Sequence, residues 1–92
     1  MSGARVRWVR GGEARIASIG PDTIVLRSTV PAPPGSRLQG TVEADGVVLA
    51  LRVKVHLARR EAEGEFLLVG RPLDLAREVR RYLETVTDKG EA

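Results

Sequence analysis

The dipeptide Asp45-Gly46, set between two long alternating runs, constrains this chain more than any other feature. A two-residue type I′ turn needs positive φ at both central positions, and Asp-Gly is a preferred pair for it. Before the turn, Leu38, Gly40, Val42 and Ala44 alternate with Arg37, Gln39, Thr41 and Glu43. After it, Val47, Leu49, Leu51, Val53, Val55 and Leu57 alternate with Val48, Ala50, Arg52, Lys54, His56 and Ala58. A period of two sustained this long predicts two antiparallel strands, each with one apolar face to bury.

Shorter runs of the same kind lie on either side. Ala4, Val6 and Trp8 alternate with Arg5, Arg7 and Val9, which predicts a first strand from Ala4 to Arg10. Gly11-Gly12-Glu13 turns into a hairpin spanning Ala14 to Ser28. On its first arm Ala14, Ile16 and Ser18 are expected on one face and Arg15, Ala17 and Ile19 on the other. On its second arm Ile24 and Leu26 oppose Thr23, Val25 and Arg27. Gly20-Pro21-Asp22 sits between the arms as a turn. Pro31, Pro33 and Pro34 rule out a central strand in the following segment. Glu61 to Gly64 reads as a turn, and Glu65 to Gly70 as a sixth strand.

The period changes at Arg71-Pro72. Leu75, Val79, Leu83 and Val86, flanked by Ala76 and Tyr82, follow helical spacing, so a helix is predicted over about 73–87. Asp74 is the expected N-cap or a first-turn acid, with Arg77, Arg80, Arg81 and Glu84 on the wet face and a frayed tail from Thr87. Six antiparallel strands leave two exposed edges unless the sheet closes. The expected fold is therefore a mainly β, six-stranded antiparallel β-barrel with a C-terminal α-helix, one domain over 1–92. The helix is expected to cover an open end or to bury its stripe against a partner.

Composition narrows the chemistry. Trp8, Phe66 and Tyr82 are the only aromatics, so the core is aliphatic. Without cysteine, disulfides and thiolate metal sites are excluded. No stretch has the ~18 apolar residues of a membrane span, and Met1 to Arg5 carries no apolar signal segment. A cytoplasmic protein without membrane insertion is expected. Thirteen of fifteen basic residues are arginine and the net charge is +3, with twelve acids interspersed. Arginine's planar fork suits phosphates and carboxylates without choosing among partners.

Arg5, Arg7, Arg10 and Arg15 form either a basic patch near the Ser18 hinge or the solvated face of edge strands. Trp8 is read as a core or helix-packing residue rather than a base stacker. His56 has no second ligand at metal-site spacing, and Ser18 has no evident base, so neither a metal nor a catalytic site is expected. Val48, Ala50, Ala58, Val25 and Val9 interrupt the polar face. They are expected either under the helix or in a contact patch for a second copy or a partner.

The order of elements resembles a PilZ domain. The resemblance runs from Val6 to Leu83, through Ile16-Ala17-Ser18-Ile19-Gly20, Ile24-Val25-Leu26, the Pro34-Gly35 turn, Leu38 to Val42, Phe66 to Gly70, and Arg77 to Leu83. It implies a six-stranded barrel with a C-terminal helix, and a link to cyclic di-GMP signalling through motility, secretion or signalling partners. The family's ligand motifs are Arg-x-x-x-Arg before the first strand and (Asp/Asn)-x-Ser-x-x-Gly at the second-to-third strand hinge. The first is not found in Met1 to Gly3; Arg77 and Arg81 have its spacing but lie on the predicted helix. In the second, Ser18 stands in place, Ile16 replaces the acid or amide, Pro21 replaces the glycine, and Gly20 comes one position early. Arg10, Arg15, Ser18 and Gly20 are thus a vestigial ligand set, with cyclic di-GMP binding expected weak or absent and no cofactor. The function expected is a non-enzymatic regulatory or adaptor module acting by protein contact. The alternative is a small basic barrel that binds single-stranded nucleic acid through arginines and a stacking Trp8.

Overall fold

A computed structural model describes the backbone of residues 4–91 and the side chains of residues 4–85. Its strands are β1 (Arg5–Trp8), β2 (Glu13–Ile19), β3 (Ile24–Ser28), β4 (Arg37–Ala44), β5 (Val47–Ala62) and β6 (Glu65–Pro72), followed by helix α1 (Arg77–Glu91). The strands close into an antiparallel barrel in the order β1-β2-β3-β6-β5-β4. Closure pairs β1 with β4, Arg5 opposite Glu43 and Trp8 opposite Gly40, so the six strands form one ring, with β5 overhanging its neighbours at both ends. The Asp45-Gly46 turn is as expected, with φ of 51° and 79°.

The barrel is filled by Val6, Trp8, Ile16, Ile24, Leu26, Val42, Leu51, Val53, Val55 and Leu68. Glycine at two inward positions lets neighbouring strands approach. A Cβ at Gly40 would lie 2.5 Å from the Arg7 carbonyl oxygen and 2.9 Å from the Trp8 ring. One at Gly70 would collide with the Lys54 carbonyl.

Each end has its own plug. At one end Trp8 is buried and its Nε1 donates to Ser28 Oγ at 3.1 Å. The proline-rich segment covers this end, with Ala32 buried, Gly35 N donating to Val55 O and Val55 N to Ser36 O. At the other end α1 lies against β2. Leu83 is fully buried, Leu75, Val79 and Tyr82 pack beside it, and Tyr82 Oη donates to Ala44 O at 2.9 Å. The helix therefore stoppers the barrel.

Several expectations are corrected. In β2 the register slips between Ile16 and Ser18, leaving Ala17 as a β-bulge. The alternation reverses there: Ser18 is exposed opposite Val25, while Ile19 turns toward the core opposite Ile24. A second bulge at His56 turns Leu57 outward, 50 % exposed, and Ala58 inward. β5 runs on to Ala62, so the turn is shorter than Glu61 to Gly64. Gly20 does not adopt positive φ.

The helix starts at Arg77, not near 73, and its backbone continues to Glu91, past the expected end at 87. Asp74 is not the N-cap. It sits at φ 54° with its carboxylate on Arg52, 3.0 Å away, because Leu73 N still bonds Arg52 O and extends the ladder. The first helical bond, Arg80 N to Ala76 O at 2.9 Å, puts Ala76 at the cap. Arg80 is only half-exposed, close to Glu84 at 3.5 Å, rather than on the wet face. Val86 lies outside the described side chains.

Candidate functional site

The bulge at Ala17 decides what stands on the barrel's outer wall. Without it, Ile19 opposite Ile24 would put Arg15 opposite Ser28 and turn the arginine inward. With it, Arg15 lies opposite Arg27 on one side and Arg5 on the other, and all three are exposed. The Ile16 N to Ala4 O bond makes Arg5 and Arg15 a non-hydrogen-bonded pair, with Cα atoms ~4.5 Å apart. Thr29 N to Glu13 O makes Arg15 and Arg27 a hydrogen-bonded pair, at ~5.5 Å. Like charges directly opposite destabilise a sheet, by about 0.2–1 kcal/mol per pair.

The next row on the same wall begins with Arg7 on β1 and turns acidic on β2 and β6. Glu13 lies beyond Arg15, tied to Thr29 through Thr29 Oγ1, which accepts from Glu13 N at 3.0 Å and donates to Glu13 O at 3.2 Å. Glu65 of β6, next to the Phe66 that lies opposite Ser28, continues the row. Arginine row and glutamate row, with Thr29 and Gly64, line a cavity of about 380 Å³. Arg27 reaches Glu65 at 3.7 Å with both side chains about half exposed, a pairing of little strength. Among the described residues, Arg5 and Arg15 have no carboxylate within ion-pair distance.

The residues expected to form the hinge site do not converge. Arg10 sits at the β1–β2 turn beside Gly11, at the Trp8 end of the barrel, where it shares a groove with Arg37. Ser18 and Gly20 lie at the far end of β2, by the turn closed by Gly20 N to Thr23 O. Only Arg15 joins a cluster, with Arg5 and Arg27. Arg7 stands apart from it, opposite Glu13 on β2 and Thr41 on β4. Arg27 was not singled out by sequence, because its alignment with Arg15 depends on the bulge. Ile16 is 4 % exposed and belongs to the core.

A second basic row crosses the opposite wall, where Lys54 is paired with Arg37 and with Arg71. Of the three, Arg37 lines a groove of about 270 Å³ at the Trp8 end, away from Lys54 and Arg71. His56 is exposed at its bulge. Of the outer apolar residues, Val9, Ala50 and Val48 are exposed, opposite Gln39, Thr41 and Glu43 in turn along β4. No helix of the described residues is long and apolar enough to cross a membrane.

No family model, no curated protein and no solved structure matches the chain.

Proposed function

We propose that the chain is a non-enzymatic regulatory module of the PilZ type whose cyclic di-GMP hinge is degenerate and which acts through protein–protein contact. Ile16 carries this reading. At the position where the hinge motif needs an acid or amide to hold a guanine edge, the chain has an aliphatic side chain turned into the core. Each charged hydrogen bond lost in this way weakens a ligand by about 1.5–3 kcal/mol. The separation of Arg10 from Ser18 and Gly20 supports the same conclusion. The closed barrel stoppered by a C-terminal helix is the architecture the resemblance implies.

Calorimetric titration of the full chain with cyclic di-GMP tests the proposal. No saturable heat is expected up to about 100 µM. Micromolar binding that is lost in Ser18→Ala would refute it.

The single-stranded nucleic-acid reading finds less support. Sequence-tolerant binding of single strands relies on aromatic faces open to the bases. Trp8 is 4 % exposed with its indole N–H committed to Ser28, and Tyr82 is bound to Ala44. A gel shift with oligo(dT) or oligo(U) at physiological salt is expected to show no complex.

A further inference from the structure

We propose that the cleft between Arg5–Arg15–Arg27 and Glu13–Thr29–Glu65 is a binding site for a small phosphate monoester that carries hydroxyl groups, a sugar phosphate in chemical class. The site is distinct from the Ser18–Gly20 hinge and does not depend on the PilZ reading.

Three observations carry the assignment. The first is the arginine row itself. Guanidinium groups on three successive strands present several forks of N–H donors along one line, the geometry that grips phosphate oxygens two at a time. The second is concavity. The three arginines together line a cavity of about 380 Å³, within the range of small-ligand sites, whereas the groove that Arg37 lines includes neither Lys54 nor Arg71. The third is the opposite wall. Glu13 and Glu65 are acceptors only, so a ligand that turns phosphate to the arginines must turn donors to the carboxylates. Hydroxyls on the carbon skeleton of a sugar phosphate supply them. Bare phosphate satisfies one wall and meets repulsion from the other. Arg27 exchanges its exposed partner Glu65 for the ligand at little cost, and Arg5 and Arg15 have no carboxylate within ion-pair distance to give up among the described residues.

The test is calorimetry on the full chain at about 0.15 M salt, where charges across the barrel are screened from the cleft. The probes are ribose 5-phosphate, glucose 6-phosphate and adenosine monophosphate, with inorganic phosphate and ribose as comparisons. At least one ester should bind saturably below about 1 mM and about tenfold more tightly than inorganic phosphate, with ribose silent. A preference for the monophosphate nucleotide over both free sugar phosphates assigns the ester to a nucleotide source; the reverse assigns it to a free sugar phosphate. Arg15→Ala should weaken binding about tenfold or more. The same variant should melt a few degrees higher than the parent without ligand, because it relieves two like-charge pairs. The double variant Arg37→Ala, Arg71→Ala removes more charge but should bind within about twofold of the parent. Silence of all three esters overturns the proposal. So does equal binding of inorganic phosphate, which removes any role for the carboxylates, or an equal loss in the Arg37/Arg71 variant, which reduces binding to overall charge.

Discussion

Ser28→Ala is expected to be the most damaging single-atom deletion in this barrel. Ser28 is 1 % exposed and its hydroxyl makes three hydrogen bonds. It accepts from Trp8 Nε1 at 3.1 Å and from Val30 N at 3.1 Å, and donates to Val30 O at 2.8 Å. Alanine strands the indole N–H in a buried site, at about 1–3 kcal/mol. Val30 is only half-buried and water replaces much of its loss, which adds about 0.5–1 kcal/mol. The sum, about 1.5–4 kcal/mol, is a large share of the roughly 5–14 kcal/mol that a domain of this length possesses. At about 4–8 °C per kcal/mol, the midpoint should fall by at least about 6 °C. Urea unfolding read by the fluorescence of Trp8, the sole tryptophan, should show a lower midpoint with an unchanged m-value. The cause is isolated by a double-mutant cycle with Trp8→Phe, followed by circular dichroism. Once the donor is gone, Ser28→Ala should cost at least about 1 kcal/mol less. A loss below about 0.5 kcal/mol, or the same loss with and without the indole, would refute the reasoning.

Other substitutions probe different parts of the fold. Gly70→Ala should lower stability by about 1–3 kcal/mol or more in thermal melts, because the new methyl group meets the Lys54 carbonyl of the adjacent strand. Leu57→Asn should change stability by no more than about 0.5 kcal/mol, whereas Leu51→Ala should cost about 2–5 kcal/mol; equal costs would mean that the His56 bulge is misplaced. Tyr82→Phe should cost about 0.5–1.5 kcal/mol through loss of the bond to Ala44 O, and should raise amide exchange in α1 before the strands. Arg52→Ala should cost less than about 1 kcal/mol, since its bridge to Asp74 is exposed.

Strand identity was legible because each strand declares itself locally. Asp45-Gly46 fixed one hairpin, and the period-two runs around it gave β4 and most of β5 their faces. Bulges are a different kind of information. An extra residue in a strand is defined by what stands opposite it, so neither Ala17 nor His56 looks unusual within its own run. A trace survives in the spacing of apolar residues. Ile16 and Ile19 are three apart, as are Val55 and Ala58, where strict alternation allows only even steps. Ser18 and Leu57 were assigned to the wrong faces for this reason.

The site suffered in the same way. Arg5 and Arg15 could be grouped from the first hairpin alone, but Arg27 required the slipped register of the second. Arg10, close to them in sequence, was carried by the turn to the Trp8 end. Asp74 had the composition of a cap, yet its carboxylate was drawn to Arg52 on a strand more than twenty residues earlier.

Because β1 joins β4, the strands form a closed ring, and the longest unpaired main chain lies where β5 overhangs it: Val47 to Leu51 have no partner on β6 and Leu57 to Ala62 none on β4. A binding protein that docks by lending a strand to an exposed ladder, the route many small β modules use to capture extended peptides, would find its template there. Elsewhere on the wall recognition runs through side chains or through the helix, and selectivity is written in charge and shape rather than in main-chain pairing. The same overhangs are where a second copy would find a ladder to stack on, so they set how well the protein withstands concentration.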